Sequence, residues 1–191
     1  MRRPQRGLVF PEEWRDGQSP LAIVLAVSVT IRPARPEDAE ALARTWLDGA
    51  RELIDLAPER FRLPESHGLV EFLRSDLEHD ALEALSLVAE FDGEVVGSLE
   101  ARLLAPIESA RFQVLEDLGR LRVYVDHLRV DPPFRRRAVA TQLMAEAERW
   151  GRQHGATSIA LDTYAESPLS VGFYEAAGYQ QKSIVFEKRL D

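Results

Sequence analysis

Val130-Asp-Pro-Pro-Phe-Arg-Arg-Arg-Ala-Val-Ala-Thr-Gln-Leu-Met144 decides how the rest of the chain is read. An apolar strand ends at Val130 and Asp131-Pro132-Pro133 breaks it. Arg135, Arg136 and Arg137 follow, and Ala138 to Gly151 then has the pattern of an amphipathic helix, with apolar residues at Val139, Leu143, Ala147 and Trp150. Strand, short cationic loop and helix N-terminus together make a site for a pyrophosphate. N–H groups without intrahelical acceptors point at the anion, the helix dipole favours it, and guanidinium forks match its oxygens. An isolated basic triplet is usually only a solvated loop; the helix start directly behind this one favours phosphate.

Downstream, Gly155 closes that helix, and Ser158 to Thr163 reads as a short strand. Ser167 is placed to N-cap a further helix with Pro168 at its first position. This helix carries Leu169, Phe173 and Tyr174 and stops at Gly178, and Tyr179 to Leu190 reads as one or two closing strands with Ile184 and Phe186 on one face. Upstream, Leu121 to Val130 alternates as a central strand. Ser86–Phe91 and Glu94–Ala101 flank Asp92-Gly93, the signature of a two-residue type I′ hairpin. Residues 105–118 form an insertion with a short helix. Ala39 to Leu56 and Leu69 to Leu85 read as helices, the second broken near His79-Asp80, and Val29 to Arg32 as a first strand. The order β-α-α-β-β-β-α-β-α-β predicts a single α/β (α+β) domain over residues 29–191, with a mixed, mostly antiparallel sheet flanked by about four helices. Residues 1–28 are expected to be an N-terminal extension.

The 191 residues carry a net charge of −8, which argues against nucleic acid as a partner. With no cysteine, disulfides, thiolate metal sites and a cysteine nucleophile are all excluded. The four histidines, His67, His79, His127 and His154, lack metal-ligand spacing, so no metal is expected. No segment has the length and apolarity of a bilayer span. Leu21 to Val29 is apolar, but acids precede it and a strand-like segment follows it instead of a cleavage site, so the location expected is cytoplasmic.

Two motifs give the chain a family likeness. Arg135-Arg136-Arg137-Ala138-Val139-Ala140, preceded by Leu128-Arg129-Val130-Asp131-Pro132, matches the acyl-CoA pattern Gln/Arg-x-x-Gly-x-Gly/Ala; Phe173-Tyr174-Glu175-Ala176-Ala177-Gly178-Tyr179 matches the ending F-Y-x-x-x-G-F/Y. From about Val29 to Leu190 the chain resembles the GNAT N-acetyltransferases. The resemblance implies acetyl-CoA as acyl donor, direct attack of a primary amine on its thioester, and a sheet splayed between the fourth and fifth strands. It implies that Arg135, Arg136 and Arg137 serve the phosphates, with the N–H groups of Arg137, Ala138, Val139 and Ala140 as the cradle. Leu128, Arg129 and Val130 would hold the pantetheine arm through their backbone, like an added strand, and the N–H near Leu128 would meet the developing oxyanion.

By the same resemblance Tyr174 is the general acid that protonates the departing thiolate, and Ser167 stands where many members carry an asparagine. For the general base, strand alternation places Tyr124, Asp126, Leu128 and Val130 on one face and turns His127 to the other. Family members often carry an acid or a histidine four or six residues before this valine, so Asp126 fits; a strand carboxylate paired with an arginine is the other reading. Ala138 departs from the family's glycine, tolerable where φ is negative. That departure keeps open a catalytically silent acyl-CoA-binding or interaction domain. Acceptors left open are a small-molecule amine and a protein or peptide amine; a homodimer through the last strands is a further expectation.

Overall fold

A computed structural model describes residues 28–78, 83–188 and 190. Except for Ser28, the N-terminal extension lies outside them, as does the break at His79-Asp80. A five-stranded sheet runs in the order β1-β2-β3-β4-β5, with β1 Thr30–Pro33, β2 Ala84–Phe91, β3 Glu94–Leu104, β4 Arg122–Val130 and β5 Ser158–Ala160. Pairing is antiparallel except between β4 and β5. The β2–β3 hairpin closes where the sequence places it. Phe91 pairs with Glu94, and both Asp92 (φ 50°) and Gly93 (φ 82°) take the left-handed conformation of a type I′ turn.

Helices α1 (Ala39–Leu56) and α2 (Leu69–Glu78) cover one face, burying Leu42, Ala43 and Leu73 against Val88 and Val95. Helix α3 (Val139–Gln153) covers the other with Val139, Leu143, Met144 and Ala147, against Leu99, Val123, Val125 and Val130. Gly151 lets α3 approach β4 closely: a Cβ there would lie 2.6 Å from Val123 Cγ2. Helix α4 (Pro168–Ala176) adds Phe173 and Tyr174 to this second core. Arg44 ties α1 to the sheet, donating to Asp131 at 2.9 Å and to the Val95 carbonyl at 2.8 Å.

Three expectations need correction. Ala84 and Leu85 belong to β2, since the β-rich run pairs with Ala101 and Arg102 and so overrides the helical reading to Leu85. The fifth strand ends at Ala160, because only Arg122, Val123 and Tyr124 of β4 pair with it. Residues 180–188 form no strand, and Ile184, Val185 and Phe186 lie exposed. Among the described residues no helix is long and apolar enough to cross a membrane.

Candidate active site

Beyond Tyr124, β4 runs on to Val130 with no partner in β5, and this divergence opens the sheet. Asp131 N–H bonds the Val96 carbonyl on β3 at 2.9 Å. Backbone groups along a strand alternate between its two edges, so the N–H and C=O of Leu128 and Val130 point into the opening. The Val130 carbonyl accepts Arg135 Nε at 2.9 Å; the other groups stay available to an extended ligand. Arg129 contributes its backbone only. Its guanidinium turns under α1, against Gly49, and reaches Glu52 at 3.4 Å with Nε and Nη2 unpartnered.

At the end of the opening, a turn over Pro132–Phe134 leads into the arginine loop. Arg136 (φ 59°) and Ala138 (φ 62°, ψ 12°) both adopt left-handed backbone, and α3 starts directly after. The first intrahelical bond comes from Gln142 N–H to the Ala138 carbonyl at 3.0 Å, so the N–H groups of Val139, Ala140 and Thr141 have no acceptor in their own helix. A left-handed residue before a helix N-terminus makes a concave nest of N–H groups for an anion, and the loop therefore fits a pyrophosphate through its backbone. The negative φ that would make alanine costless at 138 is not what the loop adopts. The side chains divide the work. Arg135 is committed to the protein, its Nη2 held by both Glu52 oxygens at 2.7 and 2.8 Å. Arg136 and Arg137 are exposed, Arg137 lying 5.9 Å over the Phe134 ring.

Tyr174 packs on the α3-side core, meeting Phe173 and Tyr179 edge-on at 5.1 and 5.7 Å. Burial pushes its phenol up to about 12, so it is a proton donor throughout the neutral range. Ser167 precedes α4, but its hydroxyl lies 3.0 Å from Ser170 Oγ instead of capping the helix.

The α1–α2 face differs from the simple alternation expected. Glu100 pairs with His127 but Ala101 with Val125, leaving Asp126 as the extra residue of a β-bulge. Alternation therefore shifts by one: Val123 and Val125 face the core with Leu128 and Val130, while Tyr124 and Asp126 do not. His127 also turns to this face and stacks on Trp46 of α1 at 5.3 Å. Its imidazole is held down at about 4, by burial and then by Arg129, and is neutral. Asp126 is taken by Arg102 at 3.0 and 3.1 Å. Tyr124 donates to Asp162 across the root of the opening.

The residue that the sequence reading passed over is Glu100. It is half-buried, with no hydrogen-bond or ion-pair partner among the described residues. Burial first, then Asp76 and Asp126, push its carboxyl up to about 7. Its one signal in the sequence is a glutamate inside the apolar run of β3. Among the described residues no group of side chains could hold a metal ion.

These features match known proteins. The model of the acetyltransferase (GNAT) family covers residues 50–179. The chain belongs to this family. It is an acetyl-CoA-dependent N-acetyltransferase acting on an amine. An aminoglycoside N(6')-acetyltransferase type 1 of Acinetobacter haemolyticus is 28% identical over 166 residues, 85% of this chain and 100% of its own length. Among solved structures, the aminoglycoside acetyltransferase AAC(6')-Iy, in complex with a bisubstrate analog joining coenzyme A to acetylneamine, is 25% identical with a TM-score of 0.57, over 85% of this chain and 99% of that one. A transcriptional regulator from Bacillus halodurans shares the fold at a TM-score of 0.66 and 23% identity, over 85% and 100% of the two chains.

Proposed function

We propose that this GNAT domain, residues 29–191, acetylates a primary amine of a small polycationic aminosugar of the aminoglycoside class. The observation that carries the reading is Glu100, a half-buried, unpartnered carboxyl with Asp76 and Asp126 as its electrostatic neighbours, on the face opposite α3 and α4. Carboxylates on that face suit an acceptor bearing several ammonium groups. The relatives named for aminoglycosides support the same class.

Acetyl-CoA, when bound, supplies an acetyl thioester open to attack by the amine. The chain's own residues do the rest. The N–H groups of Val139 and Ala140, after the left-handed Ala138, hold the pyrophosphate, with Arg136 and Arg137 beside it. Leu128 and Val130 offer backbone groups to the extended arm, and the Leu128 N–H is free to hold the acetyl oxygen. Glu100 takes the proton that the ammonium must lose; a carboxyl near 7 both accepts and releases it at working pH. Asp126, occupied by Arg102, yields the base role to Glu100 and contributes negative charge. Tyr174 carries the proton for the departing sulfur. We assign the enzyme to the cytoplasm. The exposed Ile184, Val185 and Phe186 support a homodimer, which sedimentation at graded concentration tests.

The test of the main reading is free-thiol release from acetyl-CoA in the presence of glucosamine, neamine, kanamycin or a lysine-containing peptide. Turnover confined to the aminosugars is expected, with the acetylated nitrogen located by NMR. Turnover confined to the peptide would refute the acceptor class.

A further inference from the structure

Asp131 and Arg135 stand at the two ends of the turn that carries β4 into α3. Within it the Phe134 N–H bonds the Asp131 carbonyl at 2.9 Å and the Arg135 N–H the Pro132 carbonyl at 3.3 Å. Helix α1 grips both ends. Arg44 donates to Asp131 at 2.9 Å, and Glu52, about two turns further along the helix, takes Arg135 Nη2 on both carboxylate oxygens at 2.7 and 2.8 Å. Arg135 Nε in turn donates to the Val130 carbonyl at 2.9 Å, so one guanidinium joins helix, strand end and loop. Behind the pair lies Arg129, its side chain 7% exposed and 3.4 Å from Glu52. A Cβ at Gly49 would stand 2.8 Å from Arg129 Nη1; a glycine inside the helix, unfavourable against alanine, leaves that guanidinium its room beneath α1.

The backbone that follows Arg135 needs an anchor. Arg136 and Ala138, at φ 59° and 62°, hold a conformation that residues with a Cβ adopt only at a cost, and such backbone persists where its surroundings over-determine it. At the loop's exit Val139 is buried in the α3 core. Arg136 and Arg137 are exposed and give no comparable hold, which leaves Arg135 to fix the entrance. We infer that Glu52 is a positioning residue for acetyl-CoA: through Arg135 it holds the arginine loop in the nest that receives the pyrophosphate, so the N–H groups are aimed before the ligand arrives. This rests on the phosphate cradle proposed above. Glu52 acts through Arg135 and not on the phosphates, which its own charge repels.

Glu52→Gln keeps the side chain's shape and removes the charge that holds Arg135; Arg135→Met removes the arm and leaves Glu52 to Arg129. Calorimetry gives the Kd for coenzyme A and for pantetheine, which lacks the phosphates, and needs no acceptor. Wild type prefers coenzyme A by more than about a hundredfold, the scale of two hydrogen bonds to a charged group. In each variant the coenzyme A Kd rises about tenfold, as when the strain of one left-handed residue passes from folding to binding, while that for pantetheine stays within about twofold. The double variant is no weaker than Arg135→Met, since both changes act on one arm. Amide exchange in residues 134–140 of the ligand-free protein quickens in all three variants. A coenzyme A Kd that is unchanged or tighter in Glu52→Gln overturns the proposal, and so does an equal loss for both ligands. If Glu52→Gln does not fold, because Arg129 is left as an unpaired buried charge, Arg135→Met decides: a weaker Kd without quickened exchange would put Arg135 on the phosphates themselves and refute the anchor. Wild type without a preference for coenzyme A over pantetheine refutes the cradle and the positioning role with it; a preference undiminished in the variants refutes the positioning role alone.

Discussion

Replacing Ala138 with glycine isolates what the cradle's backbone costs. Ala138 sits at φ 62°, ψ 12°, where an L-residue's Cβ crowds the following carbonyl at about 1–2 kcal/mol. Glycine relieves that crowding but gives up about 0.5–1 kcal/mol of backbone entropy on folding. The difference leaves Ala138→Gly more stable by roughly 0.5–1 kcal/mol, equivalent to about 1–4 °C in Tm for a domain of this size. The left-handed conformation is set by the turn that joins β4 to α3, so its cost falls on folding and not on binding. The Kd for coenzyme A, by calorimetry, therefore stays within about twofold of wild type. Differential scanning calorimetry of the two proteins supplies the first number. A Tm that falls would refute the strain argument. A Tm that rises together with a tenfold tighter Kd would show instead that the alanine methyl obstructs the phosphates.

Glu100→Gln removes the ionisation near 7 from the pH profile of kcat/KM and lowers its plateau by about 10²–10⁴-fold; survival of that limb would return the base role to another group. The same substitution has a stability signature. The folded carboxyl holds its proton between the ordinary carboxylate range and about 7, so stability declines as pH rises through that window; Glu100→Gln should gain Tm over wild type at pH 8 and little at pH 4. Tyr174→Phe cuts kcat by about 10²-fold with little change in acceptor KM, and its Tm does not drop, because the hydroxyl has no partner among the described residues. Gly151→Ala gains about 1 kcal/mol of helix propensity but forces a Cβ against Val123, where overpacking costs about 1–3 kcal/mol; its urea midpoint falls, and a rise would mean that β4 and α3 are looser than described.

Much of the fold was legible because local signals are strong where the chain punctuates itself. Asp92-Gly93 marked the hairpin, and the Arg135–Ala140 run marked the join between β4 and α3. Helix α1 matched its periodicity from Ala39 to Leu56. The closing strands were not legible in the same way: Ile184 and Phe186 have β-forming character, but character alone supplies no neighbouring strand to pair with. The site was half legible. Tyr174 and the arginine loop were named from contiguous motifs, and the structure shows a partly buried tyrosine and a left-handed turn before α3 at those positions. Glu100 was not named this way, because its raised carboxyl depends first on burial and then on Asp76 and Asp126, and all three arise only when the chain packs. Strand alternation misled at Tyr124 and Asp126, which it grouped with Leu128 and Val130, because a bulge leaves no mark in a sequence read one strand at a time.

The bulge in β4 changes what a single strand can reach. In an ordinary strand neighbouring side chains point to opposite faces, so no two in succession reach the same layer. Here one extra residue gives β4 two consecutive positions, Asp126 and His127, on the side away from α3, while Val125 and Leu128 on either side keep their places in the interior. Asp126 there holds Arg102 and His127 lies against Trp46, so both side chains answer to the α1–α2 side of the sheet and neither to the α3 core. One strand thus serves two layers at once: its regular positions fill the α3 core, and the inserted residue lets two neighbouring side chains reach the opposite layer together.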